Sequence, residues 1–132
     1  MTRILSDFLG AWSISRRIVL ADMPDAQFDG SGIWTADTNG ALYHEMGKLM
    51  IVGQPAMQSE RKYRWTQDMS VYFDDGRFFH QVPSEGGETE HWCDPDRYMV
   101  TYDFDEWPTW QVRWRVLGPK KDYIMTSDYK RL

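Results

Sequence analysis

Short runs of alternating apolar and polar residues follow one another along the chain, with tight turns between them. Asn39-Gly40 and Asp75-Gly76 are typical hairpin-turn dipeptides, and other turn signals recur at similar short intervals. Only residues 2–9 fit a helical turn, for which Thr2 is a suitable cap. The pattern predicts strands near residues 11–20, 28–36, 41–48, 56–66, 69–74, 77–83, 88–94, 97–104, 109–117 and 121–129.

Short strands, hairpin-length connections and almost no helix predict an all-β, antiparallel, up-and-down arrangement. A sheet of this kind either splits into a sandwich or closes into a barrel, and closure removes its exposed edges. Because every connection is short, we expect a closed barrel of about 8–10 strands rather than a Greek-key sandwich. A chain of 132 residues fits one domain, residues 1–132. The barrel would enclose a space that side chains fill or that one small ligand occupies.

Charge and cysteine content narrow the class of protein. The net charge is −5, from 20 acidic and 15 basic residues, which argues against nucleic acid as the main partner. No apolar stretch reaches the ~18 residues of a membrane span, and the start of the chain, with Asp7, does not resemble a secretory signal. Cys93 is the only cysteine, so no intrachain disulfide can form. We expect a cytoplasmic protein without nucleic-acid or membrane partners, and the sequence leaves a homodimer open.

The stretch Arg61–Trp65 carries the most unusual pattern. Side chains alternate along a strand, so Arg61, Tyr63 and Trp65 share one face. That face mixes a guanidinium with two large aromatic rings, which is not typical of an ordinary core. Similar mixed faces recur on other predicted strands, at Trp12/Ile14/Arg16, Phe78/His80/Val82 and His91/Cys93. A barrel with such a lining could hold a ligand or carry out proton transfer.

Two arginines, Arg16 and Arg61, are predicted to point inward. A buried guanidinium without a partner costs several kcal/mol, so each needs a carboxylate, carbonyl groups or an anionic ligand. Glu45 is the best internal candidate because it shares a face with Tyr43, on a strand two along from that of Arg16. Two interpretations remain: Glu45 and one arginine form a satisfied pair, or an arginine is free to bind a carboxylate or phosphate.

His80 and His91 lie on neighbouring predicted strands, so we expect the imidazoles to face each other across a hairpin, with Cys93 on the face of His91. Zinc or haem ligation by these residues lacks a familiar ligand spacing, so we predict no metal and no cofactor. Imidazole titrates near neutral pH and suits a general acid or base. The alternative is that both histidines only hydrogen-bond their neighbours. Cys93 is more typical of a small buried filler than of a nucleophile.

Gly10-Ala11-Trp12 opens the first strand after the helical turn. This resembles the Gly-x-Trp of lipocalin-like (calycin) barrels, in which the tryptophan plugs the closed end and a late basic residue packs on its ring. The resemblance implies that Arg131, Arg113 or Arg115 takes that place here.

A longer resemblance covers nearly the whole chain. The sequence resembles a bacterial family of small β-barrel proteins of unknown function, which implies a calycin-like barrel but no particular activity. The matching segments are Phe8–Trp12 with Arg16, Tyr43–Gly47, Arg61–Trp65, Phe73–His80, His91–Tyr98, and Gly118–Tyr123 with Tyr129 and Arg131.

Three functional hypotheses follow. The first is a barrel that binds a small molecule with an apolar body and an anionic or polar head. The second is a small isomerase, cyclase or hydrolase in which His80 or His91 acts as acid or base and an inward arginine stabilises negative charge. The third is a structural barrel without a ligand. The residues that we expect to contact a ligand are Arg16, Tyr43, Glu45, Arg61, Tyr63, Trp65, His80, His91 and Tyr98.

Overall fold

A computed structural model describes residues 2–132. A four-residue helix, α1 (Leu5–Phe8), precedes ten strands, and all ten predicted strands are confirmed to within a few residues. No helix in this range has the length and apolarity needed to cross a membrane. The strands are β1 (Gly10–Leu20), β2 (Ala26–Asp37), β3 (Gly40–Ile51), β4 (Met57–Thr66), β5 (Ser70–Phe73), β6 (Phe78–Gln81), β7 (Gly87–Cys93), β8 (Asp96–Asp103), β9 (Trp110–Leu117) and β10 (Asp122–Arg131).

The strands form one antiparallel sheet in the order β6-β5-β4-β3-β2-β1-β10-β9-β8-β7. Because β1 pairs with β10, the two edges of the sheet are β6 and β7. These edges approach each other through side chains, and the ring centroids of Phe78 and His91 lie 5.7 Å apart. The result is a nearly closed barrel, which confirms the predicted fold class.

The prediction that His80 and His91 face each other across a hairpin is wrong. Their strands, β6 and β7, are consecutive in sequence, but the described residues form no backbone ladder between them. The barrel is closed at this seam by side chains alone. The two imidazoles therefore flank the seam instead of occupying paired positions of a hairpin.

The helix α1 covers one end of the barrel. The Trp12 indole is fully buried and donates a hydrogen bond of 2.7 Å to the carbonyl oxygen of Phe8. The Arg131 guanidinium lies 3.9 Å from the centre of the Trp12 ring and donates to the carbonyl oxygens of Leu9 and Asp7, at 2.7 and 2.8 Å. These contacts confirm the expected tryptophan plug and select Arg131, rather than Arg113 or Arg115, as its basic partner.

The start of the helix differs from the expectation. The backbone amide of Ile4 donates to the Asp7 carboxylate at 2.9 Å, which satisfies one of the free amides before the first turn. Thr2 is not the cap, because its hydroxyl donates instead to Glu85, at 3.3 Å.

Two glycines occupy inward positions in the middle of β2. Phe28, Gly30, Gly32 and Trp34 alternate with residues that face outward. A Cβ atom at Gly32 would lie 2.7 Å from Cε1 of Tyr43, well inside van der Waals contact. Because β2 has no side chain at these positions, side chains of β1 and β3 can approach each other across it.

Candidate ligand-binding site

An ion pair between Arg16 and Glu45 is buried inside the barrel. The guanidinium donates two hydrogen bonds to the carboxylate, from Nη1 to Oε2 at 2.5 Å and from Nη2 to Oε1 at 2.9 Å. Only 5% of Arg16 and 1% of Glu45 is exposed. The planar guanidinium matches both carboxylate oxygens, which is the strong geometry for such a pair.

Both members of this pair are charged. Burial alone would lower the pKa of Arg16, but the hydrogen bonds to Glu45 raise it. Burial alone would likewise raise the pKa of Glu45, but the hydrogen bonds from Arg16 and the nearby positive charge lower it below its usual value. Each charge therefore depends on the other to remain stable in the interior.

Three hydroxyl groups complete the network. Ser127 Oγ accepts from Arg16 Nε at 2.6 Å, and the Tyr43 hydroxyl donates to Glu45 Oε1 at 2.6 Å. Because Tyr43 uses its proton on the carboxylate, the Tyr129 hydroxyl, 2.8 Å away, donates to Tyr43. Burial raises the pKa of Tyr129 to about 12 and holds that of Tyr43 well above its usual value, so both phenols are neutral.

Arg61 has a different environment. It lies directly opposite Glu45 in the β3–β4 ladder, but within residues 2–132 its guanidinium forms no ion pair. Its guanidinium carbon lies 6.0 Å from the centre of the Trp114 ring. Burial raises the pKa of Tyr63, and the positive charge of Arg61 opposes that rise. With two arginines and one carboxylate on the cavity wall, this part of the interior has an excess of positive charge.

A small cavity lies beside the ion pair. It has a free volume of about 40 Å³. A second, outer groove of about 440 Å³ is open to solvent and shares Arg61 and Tyr63 with the inner cavity. These two half-buried side chains therefore separate the cavity from the outside, and we call them the mouth of the barrel.

His80 also lies on the cavity wall. Its Nε2 atom is 2.8 Å from the hydroxyl oxygen of Tyr102. Burial, with a smaller contribution from nearby His91, lowers the pKa of His80 to about 3, so the imidazole is neutral at physiological pH. His80 Nδ1 is buried and has no hydrogen-bond partner within the described residues.

His91 and Cys93 do not join this cavity. His91 is half-buried against the rings of Phe78 and Phe79, and burial lowers its pKa. Cys93 is half-buried rather than fully buried as expected, and the Arg77 guanidinium lies 3.7 Å from its sulfur. In the described part of the chain, no three His, Cys, Asp or Glu side chains are grouped as metal ligands would be.

The structure brings most of the expected ligand-contacting residues together and separates two of them. Tyr98 lies away from the cavity wall, as His91 does, and its hydroxyl accepts a hydrogen bond of 3.3 Å from Lys121, which also pairs with Asp96 at 2.9 Å. The residues that share the cavity wall are Arg16, Tyr43, Glu45, Arg61, Tyr63, Trp65 and His80.

Several wall residues were missing from the sequence-based set. Ser127 and Tyr129 share the inward face of β10 with Met125, and the same period of two that identified Arg16 on β1 could have identified them. Trp34 is on the glycine-containing face of β2, and Tyr102 pairs with His80. Tyr102 shares the inward face of β8 with the expected Tyr98, so the period of two could have identified it as well, whereas no local signal connects Trp34 to the cavity.

The fold and the interior define a calycin-like β-barrel. The chain belongs to the family of unknown function DUF6314, whose family model matches residues 8–131. No curated protein matches the sequence.

Two solved structures are similar in fold. An S-type phycobiliprotein lyase from Guillardia theta superposes with a TM-score of 0.62 at 8% identity, over 97% of this chain and 90% of the lyase. A protein of unknown function from the DUF3598 family of Nostoc punctiforme gives a TM-score of 0.61 at 14% identity, over 99% of this chain and 50% of that protein. This chain therefore spans about half the length of the second protein. At such low identity the similarity concerns the fold alone.

Proposed function

We propose that this barrel binds a small molecule whose anionic or polar head contacts Arg61 at the mouth. The observation that carries the proposal is that Arg61 lies on the cavity wall without a carboxylate partner in the described residues, whereas Arg16 has one. A half-buried guanidinium without a counter-charge gains most from a carboxylate, sulfonate or phosphate. Such a group would form two hydrogen bonds with the planar guanidinium.

Arg16 supports the site without contacting the anion. Its guanidinium already donates to both oxygens of Glu45 and to Ser127. Releasing it for a ligand would leave Glu45 as a buried, unpaired carboxylate, which is costly. The ion pair therefore fixes the interior wall, and the binding charge comes from Arg61.

The body of the ligand would contact the aromatic residues next to Arg61. A free volume of about 40 Å³ is little more than the space for two or three water molecules. A larger ligand must therefore move side chains, and those that line the cavity and are also partly exposed are Arg61, Tyr63 and Trp114. Binding would displace these side chains toward the outer groove.

A catalytic role has less support. His80, the histidine on the cavity wall, contacts Tyr102 rather than an acid, and its low pKa leaves it uncharged. A neutral imidazole whose pKa lies near 3 is a weak base at physiological pH. The fold shared with a phycobiliprotein lyase is compatible with either role.

Native mass spectrometry of the protein purified from its own host tests the proposal. The wild type should retain a small molecule that is released on denaturation, and the Arg61→Gln variant should retain much less of it. Arg64→Gln is the matched control, because Arg64 is on the same strand but pairs with Asp37 on the outer surface at 2.6 Å. A wild type without a retained molecule, or equal retention by the Arg61→Gln variant, would contradict the proposal.

A further inference from the structure

Three residues of the cavity wall each have a buried side-chain nitrogen without a hydrogen-bond partner within residues 2–132. These atoms are Nε1 of Trp34, Nε1 of Trp110 and Nδ1 of His80. The two indole rings are close together, since the centroids of Trp34 and Trp110 lie 5.9 Å apart. A buried donor without an acceptor costs about 1–3 kcal/mol, so two unpaired indole donors beside one cavity call for an explanation.

Both indole nitrogens are donors, because an indole nitrogen can only donate. His80 Nε2 and the Tyr102 hydroxyl lie 2.8 Å apart and either can be the donor, so the tautomer of His80 decides whether Nδ1 donates or accepts. The two indole nitrogens are therefore the donors on which the subsite depends.

We infer that the cavity wall at Trp34 and Trp110 is a subsite for an uncharged hydrogen-bond acceptor of the ligand, such as a carbonyl oxygen. A carbonyl oxygen has two lone pairs and no hydrogen, so it matches two donors, whereas a water molecule would bring two hydrogens of its own. The inference rests on the proposed function and extends it. The ligand class becomes a molecule with an anionic group at Arg61 and a carbonyl at the inner end.

A matched pair of probes tests this subsite: 4-acetylbenzoate, which has a carbonyl group, and 4-isopropylbenzoate, which has the same carboxylate and a similar shape. Both are titrated into nitrogen-15-labelled wild-type protein, and the indole N–H signals are followed by NMR. We expect 4-acetylbenzoate to bind about tenfold more tightly, which corresponds to one hydrogen bond. It should also shift the Trp34 or Trp110 indole proton downfield.

The outcomes separate this inference from the proposed function. If both probes bind equally and leave these indole signals in place, the subsite is wrong while the binding site at Arg61 stands. If neither probe binds the wild type, both proposals fail. In a folded Trp34→Phe variant the preference for 4-acetylbenzoate should fall, and an unchanged preference in both this variant and Trp110→Phe would overturn the inference. The wild-type comparison does not depend on whether these variants fold.

Discussion

Glu45 lies directly opposite Arg61 in the β3–β4 ladder but is bound by Arg16, which is two strands away on β1. Cross-strand neighbours of opposite charge would normally form the pair. Here Arg16 reaches the carboxylate across β2, in which a glycine, Gly32, lies directly opposite Glu45. The consequence is that Arg61 lies at the mouth of the barrel with its charge available.

Removing the charge of Glu45 should destabilise the protein strongly. Glu45→Gln leaves the Arg16 guanidinium buried without a counter-charge, and we expect the free energy of unfolding to fall by about 3–5 kcal/mol in urea titrations. The control is Glu60→Gln, since Glu60 is about half exposed and should change stability by less than about 0.5 kcal/mol. A loss below about 1 kcal/mol for Glu45→Gln would show that the pair does not hold Arg16 in this way.

The stability of the protein should also be sensitive to a side chain added at Gly32. A methyl group at Gly32 would collide with the Tyr43 ring, so we expect Gly32→Ala to lower the free energy of unfolding by about 1–3 kcal/mol. Ser31→Ala changes the neighbouring outward position and should have little effect. If the two variants unfold at the same urea concentration, Gly32 does not have the spatial role described here.

Much of the fold could be predicted because its signals are local. Alternation and turn dipeptides located all ten strands, and Trp12 and Arg16 were assigned to the interior by counting every second residue from one strand position. Signals that depend on contacts between distant strands were not available from the sequence. The seam at β6 and β7 is one example, since neighbouring strands joined by a short turn usually pair.

The partner of Glu45 is a second feature that the sequence could not predict. The sequence indicated that Glu45 could neutralise one of two arginines, but not which one. Arg16 lies over the ring of Phe28 on β2, at 4.9 Å, and donates to Ser127 on β10. Both are tertiary contacts that alternation along one strand does not encode.

Lowering the pH should reduce the free energy of unfolding, partly because His80 takes up a proton in the unfolded chain. The folded-state pKa of His80 is about 3, below the ordinary value of 6.5, because burial disfavours the charged form. The unfolded chain therefore binds a proton between about pH 6.5 and 3 that the folded chain does not, so stability falls as pH falls through this window. The slope from one such group approaches about 1.4 kcal/mol per pH unit.

Urea titrations at several pH values measure this contribution. The His80→Gln variant keeps a polar side chain near Tyr102 but cannot take up the proton, so its stability should depend less steeply on pH below 6.5. The carboxylates contribute equally to both proteins and cancel in the comparison. Parallel curves for the variant and the wild type would mean that His80 is not held neutral by burial.

The stability that the contact between Trp12 and Arg131 gives to the fold should depend on the planar guanidinium of the arginine. Arg131→Lys keeps the charge but loses the flat stack on Trp12 and the paired hydrogen bonds to Leu9 and Asp7. We expect a loss of about 1–2 kcal/mol in thermal or urea unfolding. Lys130→Ala, at the adjacent exposed position, should leave stability unchanged, and an unchanged Arg131→Lys variant would contradict the structural role of this contact.

The most direct test of the central claim compares an anionic probe with its neutral counterpart. The sulfonate 1-anilinonaphthalene-8-sulfonate and the uncharged N-phenyl-1-naphthylamine share the same rings, and fluorescence titration gives a dissociation constant for each. We expect the wild type and the Arg64→Gln control to bind the sulfonate more tightly than the neutral probe. The Arg61→Gln variant should lose about tenfold or more of that preference, while its affinity for the neutral probe is retained. The same preference in all three proteins would contradict the account of Arg61 as the residue that binds an anion at the mouth of the barrel.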